Sequence, residues 1–147
     1  MKFVRQRYQC ALTGEGWEAL AAVELEASTK SWFAYAGGHA GKDDPFWHFW
    51  RLICAFDPVP ALEKVRCPVL AVWGANDTFV PPEKSARIWQ AALTKAGNRD
   101  ATIKVFPDGD HSLIASKTGG LKETARAQDF VPEYFDTLRQ WTRNHTR

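Results

Sequence analysis

At 147 residues, with 45% apolar and 24% charged side chains, the chain has the makeup of one globular domain and is long enough to bury a core. Nineteen Lys and Arg against seventeen Asp and Glu leave a net charge of +2, and the basic residues are scattered rather than gathered into a stripe, which excludes a phosphate-tracking surface and with it a nucleic-acid partner. Charges break up the apolar residues of Met1–Arg7 before any signal-peptide core can form, no other stretch is long enough to span a membrane, and Cys10, Cys54 and Cys67 are an odd set without C-x-x-C spacing. A reducing cytoplasm is therefore expected, with no disulfide framework, zinc site, cofactor or membrane partner.

Seven Trp and nine Phe crowd mostly into the first half and divide the chain into two regions, 1–56 and 57–147, expected to form one compact unit. The first is helical by pattern and has no convincing strand. After Thr13-Gly14-Glu15-Gly16, the residues Trp17, Leu20, Ala21, Glu24, Leu25 and Ser28 fall at helical spacing and predict one packed face. A Gly-rich loop over 37–45 leads into Phe46–Ile53, apolar almost all round and expected as a buried helix.

The character changes at Asp57-Pro58-Val59-Pro60, where the prolines end any helix before a short turn over 61–64. Residues 68–73 are a continuous apolar run stopped by Gly74, the mark of a central parallel strand buried on both faces. Pro81-Pro82-Glu83 opens a helix with Ala86, Trp89, Leu93 and Ala96 on one face, closed by Gly97-Asn98. A second strand over 102–106 ends in the turn Pro107-Asp108-Gly109-Asp110, and a polar segment over 116–128 is expected to be mobile. Asp129 is placed to cap a last helix bearing Tyr134, Phe135, Leu138 and Trp141.

Two strands joined by a single-helix crossover must be parallel and right-handed, so both end at the same sheet edge. The loops that leave them, with Asp77 on the first and His111 on the second, then lie side by side at the edge where open α/β sheets bind ligands. A buried carboxylate bonded to one imidazole nitrogen fixes the tautomer, so that the other nitrogen can accept a proton from a nucleophile.

The motif Gly74-x-x-Asp77-x-x-Val80-Pro81-Pro82 after one strand and Asp110-His111-Ser112-Leu113 after the next resemble the closing segments of α/β-hydrolases, most closely the bacterial esterase-like and prolyl-oligopeptidase-like serine hydrolases. The resemblance runs from about Asp57 to Trp141, and the Trp-rich first region looks more loosely like the helical cap of such enzymes. It implies an α/β fold, here the C-terminal portion of the sheet, with Asp77 as the triad acid and His111 as the general base. The family order of nucleophile, acid, histidine is kept, Asp77 preceding His111 by 34 residues. The sequence departs from the pattern at the nucleophile. No serine or cysteine sits in a G-x-S-x-G frame: Ser28, Ser31 and Ser85 lie in or beside helical patterns, Ser112 adjoins the histidine, Ser116 lies in a polar loop, and the three cysteines have bulky or branched neighbours.

Asp108 and Asp110 are read as shaping the histidine's turn, and Trp17, Trp32, Phe33, Tyr35, Phe46, Trp47 and Trp50 as core rather than pocket. His39 and His48 support neither a metal nor a nucleotide site, and His145 is expected to be solvated in the tail. The leading expectation is a serine-hydrolase segment that acts on a small-molecule ester or peptide once completed and is inactive alone. Two alternatives stand beside it. One is a non-catalytic domain that pairs through the open edge of strand 68–73 with a second copy or an N-terminal half; the other is a small acid–base enzyme using Asp77 and His111 without covalent catalysis.

Overall fold

The computed structural model describes residues 2–33, 42–125 and 129–146, and the chain divides into two compact units, Met1–Asp57 and Pro58–Arg147. The first unit is built from α1 (Lys2–Thr13), α2 (Trp17–Ser28) and α3 (Pro45–Ala55). Asp44 caps α3 by accepting the Phe46 amide at 2.9 Å, and Pro45 occupies the first helical position, where its missing N–H costs nothing. The core joins Phe3, Cys10 and Ala11 of α1 to Leu20 and Ala27 of α2 and Trp47 of α3, with Trp17 edge-on to Trp47 at 4.7 Å. Arg7 lays its guanidinium 5.2 to 6.0 Å from the rings of Phe3, Phe46, Trp47 and Trp50, so the described aromatics of this region pack mainly on one another. Tyr35, His39 and most of the expected Gly-rich loop lie outside the described residues.

Two expectations for this unit need correction. The packed face of α2 is Trp17, Leu20, Val23 and Ala27, while Leu25 is 74% exposed and Ala21 and Ser28 are also exposed. Packing selected the 17-20-27 stripe because only one face of a helix can meet two neighbours. For the same reason α3 is not buried all round: Phe46, Trp47 and Trp50 face the core, and Phe49, Leu52 and Ile53 are more than half exposed.

The second unit holds α4 (Val59–Leu62), β1 (Val69–Gly74), α5 (Pro82–Lys95), β2 (Ala101–Phe106), α6 (Leu121–Thr124) and α7 (Tyr134–His145). The strands pair in parallel, from Val69 against Ala101 to Gly74 against Phe106, as a strand–helix–strand crossover requires. The α5 helix packs on both strands, with Trp89 edge-on to Trp73 at 5.7 Å and Leu93 fully buried. It ends at Gly97, whose φ of +71° permits the left-handed turn that lets Asn98 reach back to the Leu93 carbonyl. The Asn98 side chain then donates to the Val65 and Cys67 carbonyls and fastens the entrance of β1.

Among the described residues β1 pairs with β2 alone, and apart from Ala71 and Gly74 its residues are half-buried rather than enclosed on both faces. The last helix begins at Tyr134, not after Asp129. Residues 129–131 are instead held in extended form beside the histidine loop, where the Asp129 carbonyl accepts the Ala115 amide and the Val131 amide donates to Leu113. From there α7 runs back along β2: Tyr134 meets Phe106, Thr137 meets Lys104, and His145 meets Asp100. The segment expected to be mobile is hydrogen-bonded over 116–125, with Ser116 buried; residues 126–128 lie outside the described ones. Among the described residues no helix is long and apolar enough to cross a membrane.

His145 is not solvated. Its Nδ1 lies 2.6 Å from the Trp141 carbonyl and its Nε2 3.0 Å from the Asp100 carboxylate, so both ring nitrogens face acceptors and both need protons. The Trp141 carbonyl first, and then Asp100, raise its pKa above the ordinary 6.5. A raised folded-state value means that the stabilisation is complete below the unfolded pKa and is lost as pH rises through the folded one. The melting temperature of the parent should therefore exceed that of His145→Ala most in mildly acidic buffer, and the gap should close as pH rises through the raised folded-state value; a gap that widened with pH would contradict the imidazolium assignment.

Candidate active site

The strands deliver two loops to one edge, and two glycines let them touch. A Cβ on Gly74 would collide with the carbonyl oxygens of Gly109 and Asp110, and one on Gly109 would press on the Gly74 Cα at 2.9 Å, so the backbones cross where only glycine fits. The crossing is pinned by amide bonds of 2.8 Å from Ala75 to Phe106 and from Asn76 to Gly109. The first loop then turns tightly, with the Asp77 amide on the Gly74 carbonyl, and places Asp77 over the end of the sheet.

Asp77 binds through both carboxylate oxygens. Oδ1 accepts the Phe79 and Val80 amides at 2.7 and 2.8 Å, a local turn of the kind aspartate favours, and Oδ2 faces His111 Nδ1 at 2.9 Å. The side chain of Asp77 is 4% exposed and that of His111 is 51% exposed. Burial pushes the Asp77 carboxyl up, but the Val80 amide, His111 and the Phe79 amide together outweigh it and leave the group below its ordinary value. The acid is thus an ionised, internally held acceptor for an imidazole that reaches solvent. A carboxylate on Nδ1 places the neutral ring's proton there and leaves Nε2 as the basic nitrogen. Among the described residues Nε2 has no hydrogen-bond partner, and the ring rests against Phe79 at 5.1 Å.

His111 is aimed by its own loop. Asp110, 2% exposed, accepts the Ser112 and Ile114 amides at 2.8 and 3.0 Å, and Leu113 takes a φ of +60°, which costs a branched residue strain that the surrounding bonds must hold. Asp110 shapes the turn, as does the Asp108 carbonyl, which accepts the Ser116 amide at 2.7 Å. Not singled out from the sequence were Asn76 and Thr78, which tie the Asp77 loop to the Ser116 and Gly119 carbonyls, and Glu123, which accepts the Lys117 and Thr118 amides within segment 116–125; the Thr118-Gly119-Gly120 run was the available signal.

Among the described residues of this unit no serine or cysteine side chain is hydrogen-bonded to the pair. Ser85 enters α5, the Ser116 hydroxyl is buried and accepts the Gly119 amide, and Cys67 precedes β1 at the opposite end of the strand. Burial raises the thiol pKa of both Cys10 and Cys54, which disfavours the nucleophilic thiolate. His48 is exposed, and among the described residues no group of three or more His, Cys, Asp or Glu side chains could hold a metal ion.

A parallel strand–helix–strand unit with a carboxylate and a histidine on its two C-terminal loops is the arrangement that closes an α/β-hydrolase sheet. Residues 3–137 match the sequence model of the prolyl oligopeptidase family, and the chain belongs to that family. It is also similar to a protein of Salmonella typhimurium (strain LT2) named "Putative carboxymethylenebutenolidase", with 36% identity over 72 residues, which is 49% of this chain and 26% of the relative. The match thus spans about a quarter of that relative's length. No solved structure matches the chain significantly.

The glycine crossing is open to a direct check. Gly74→Ala should cost roughly 1–3 kcal/mol in urea unfolding, because the new methyl meets backbone rather than a movable side chain. A change below about 0.5 kcal/mol would mean that the loops do not approach as described.

Proposed function

We propose that this chain supplies the acid and the general base of a serine-hydrolase triad, Asp77 and His111, to a nucleophile that its own sequence does not carry. One observation supports the reading above the rest: His111 Nδ1 lies 2.9 Å from a nearly enclosed Asp77 carboxylate, while Nε2 is unengaged at the C-terminal edge of the strands. In a completed site a serine hydroxyl beside Nε2 would lose its proton to the imidazole as its oxygen attacks an acyl carbonyl. Asp77 would stabilise the resulting imidazolium, which would return the proton to the leaving group. Oxyanion-hole donors would have to come with the nucleophile. The family's name refers to oligopeptides and the relative's to a butenolide, and acyl transfer at an amide or an ester carbonyl covers both.

The unpaired edge of β1 is where the rest of such a sheet, or a second copy of this chain, would add a strand by main-chain hydrogen bonding. Alone, the chain is inactive on this reading, because general-base catalysis without a nucleophile leaves the acyl-enzyme route closed.

The purified chain should show no labelling by a fluorophosphonate serine-hydrolase probe under conditions that label a competent hydrolase. Labelling should appear when an upstream polypeptide bearing a G-x-S-x-G elbow is joined or added, and His111→Ala should then lower turnover on the order of 10³-fold or more. Labelling of the chain alone that vanishes in His111→Ala would overturn the reading, since it would place a nucleophile within these residues.

A further inference from the structure

The loop that carries Asp77 is fastened on both sides of the acid to one neighbouring segment. Asn76 Nδ2 donates to the Ser116 carbonyl at 2.7 Å, and the Thr78 hydroxyl donates to the Gly119 carbonyl at 3.2 Å. Between these bonds Gly119, at a φ of +66°, lies so near the loop that a Cβ there would run into the Asn76 carbonyl oxygen. The backbone of 116–119 is thus the surface against which residues 76–78 rest.

That segment has its own clasp. The Glu123 carboxylate, on α6, accepts the Lys117 amide at 2.8 Å, the Thr118 amide at 3.0 Å and the Thr118 hydroxyl at 2.6 Å. Ser116, 3% exposed, accepts the Gly119 amide on its hydroxyl at 2.8 Å and closes the turn from within. The Thr118 hydroxyl, followed by the Lys117 amide, holds the Glu123 carboxyl at about 2, so the clasp stays ionised across the neutral range. Three donors on one half-exposed carboxylate require an explanation beyond core formation.

We propose that residues 116–125 act as a positioning strap: Glu123 and Thr118 fold it, and through Ser116 and Gly119 it fixes the loop that aims the Asp77 carboxylate at His111 Nδ1. None of these residues touches a reacting atom, so they are positioning residues, and the inference rests on the proposed roles of Asp77 and His111. A hydrogen bond of 2.9 Å is lost when its acceptor moves by about 1 Å, and small misplacements of this kind are costly in catalysis. Loosening the strap therefore releases the histidine from its fixed tautomer without removing either partner.

Nitrogen-15 NMR of the imidazoles in the full labelled chain tests this without any need for activity, since it reads which nitrogen of neutral His111 holds the proton. The parent should show the Nδ1–H tautomer, and Asp77→Asn should abolish that preference. Glu123→Ala and Thr118→Val should each convert His111 to an averaged mixture of tautomers with circular dichroism unchanged, and Thr118→Ser, which keeps the hydroxyl, should retain the parent pattern. If Asp77→Asn changes the pattern while Glu123→Ala and Thr118→Val leave it as in the parent, the strap has no positioning role and the assignment of Asp77 stands. If Asp77→Asn also leaves it unchanged, the His111–Asp77 pairing is absent, and the proposed function falls together with the strap.

Discussion

The close crossing of two backbones at Gly74 and Gly109 is the constraint on which the rest of the second unit depends. Parallel pairing brings the ends of β1 and β2 to one edge, but neighbouring strands alone leave their loops free to diverge. The glycines remove the side chains that would hold the loops apart, and the amide bonds of Ala75 and Asn76 lock them together. Only then can a carboxylate three residues beyond one strand meet an imidazole five residues beyond the other. Each loop spends further bonds on its own shape, Asp77 on the Phe79 and Val80 amides and Asp110 on the Ser112 and Ile114 amides. The side chains that meet are thus presented by backbone that is already held, which is how precise polar geometry survives at a solvent-facing edge.

The Asp77–His111 contact, the parallel order of β1 and β2 and the crossover helix could all be read from the sequence, because each rests on a short-range signal: an apolar run stopped by Gly74, prolines at 81 and 82, and a turn at 107–110. What could not be read required knowledge of partners. Periodicity placed α2 on a helix but turned its buried face toward Leu25, since a pattern of small and apolar residues fits more than one face until neighbours choose. Composition marked 116–128 as polar and therefore loose, yet Glu123 and Ser116 organise its first part by side-chain to backbone bonds that no hydropathy pattern records. The same limit explains Asp129 and His145: the first lost its capping role to extended pairing beside the histidine loop, and the second gained Asp100, just ahead of β2.

Family membership and geometry carry different weight. Membership extends over residues 3–137 and includes the helical unit, whose described aromatics are spent largely on its own core. The geometry belongs to the second unit alone, which joins an ionised, enclosed carboxylate to a half-exposed imidazole. Membership in the prolyl oligopeptidase family provides the hydrolase setting, and the proposed roles of Asp77 and His111 rest on the geometry of the second unit.

The central claim is that Asp77 and His111 form one coupled pair in solution. A double-mutant cycle on unfolding free energy, comparing Asp77→Ala, His111→Ala and both together, measures that coupling with the fewest further assumptions. Because His111 is half exposed, the expected interaction energy is modest, roughly 0.5–1 kcal/mol in favour of the pair. Strict additivity of the two substitutions, with a coupling indistinguishable from zero, would show that the two side chains act independently and would contradict the account.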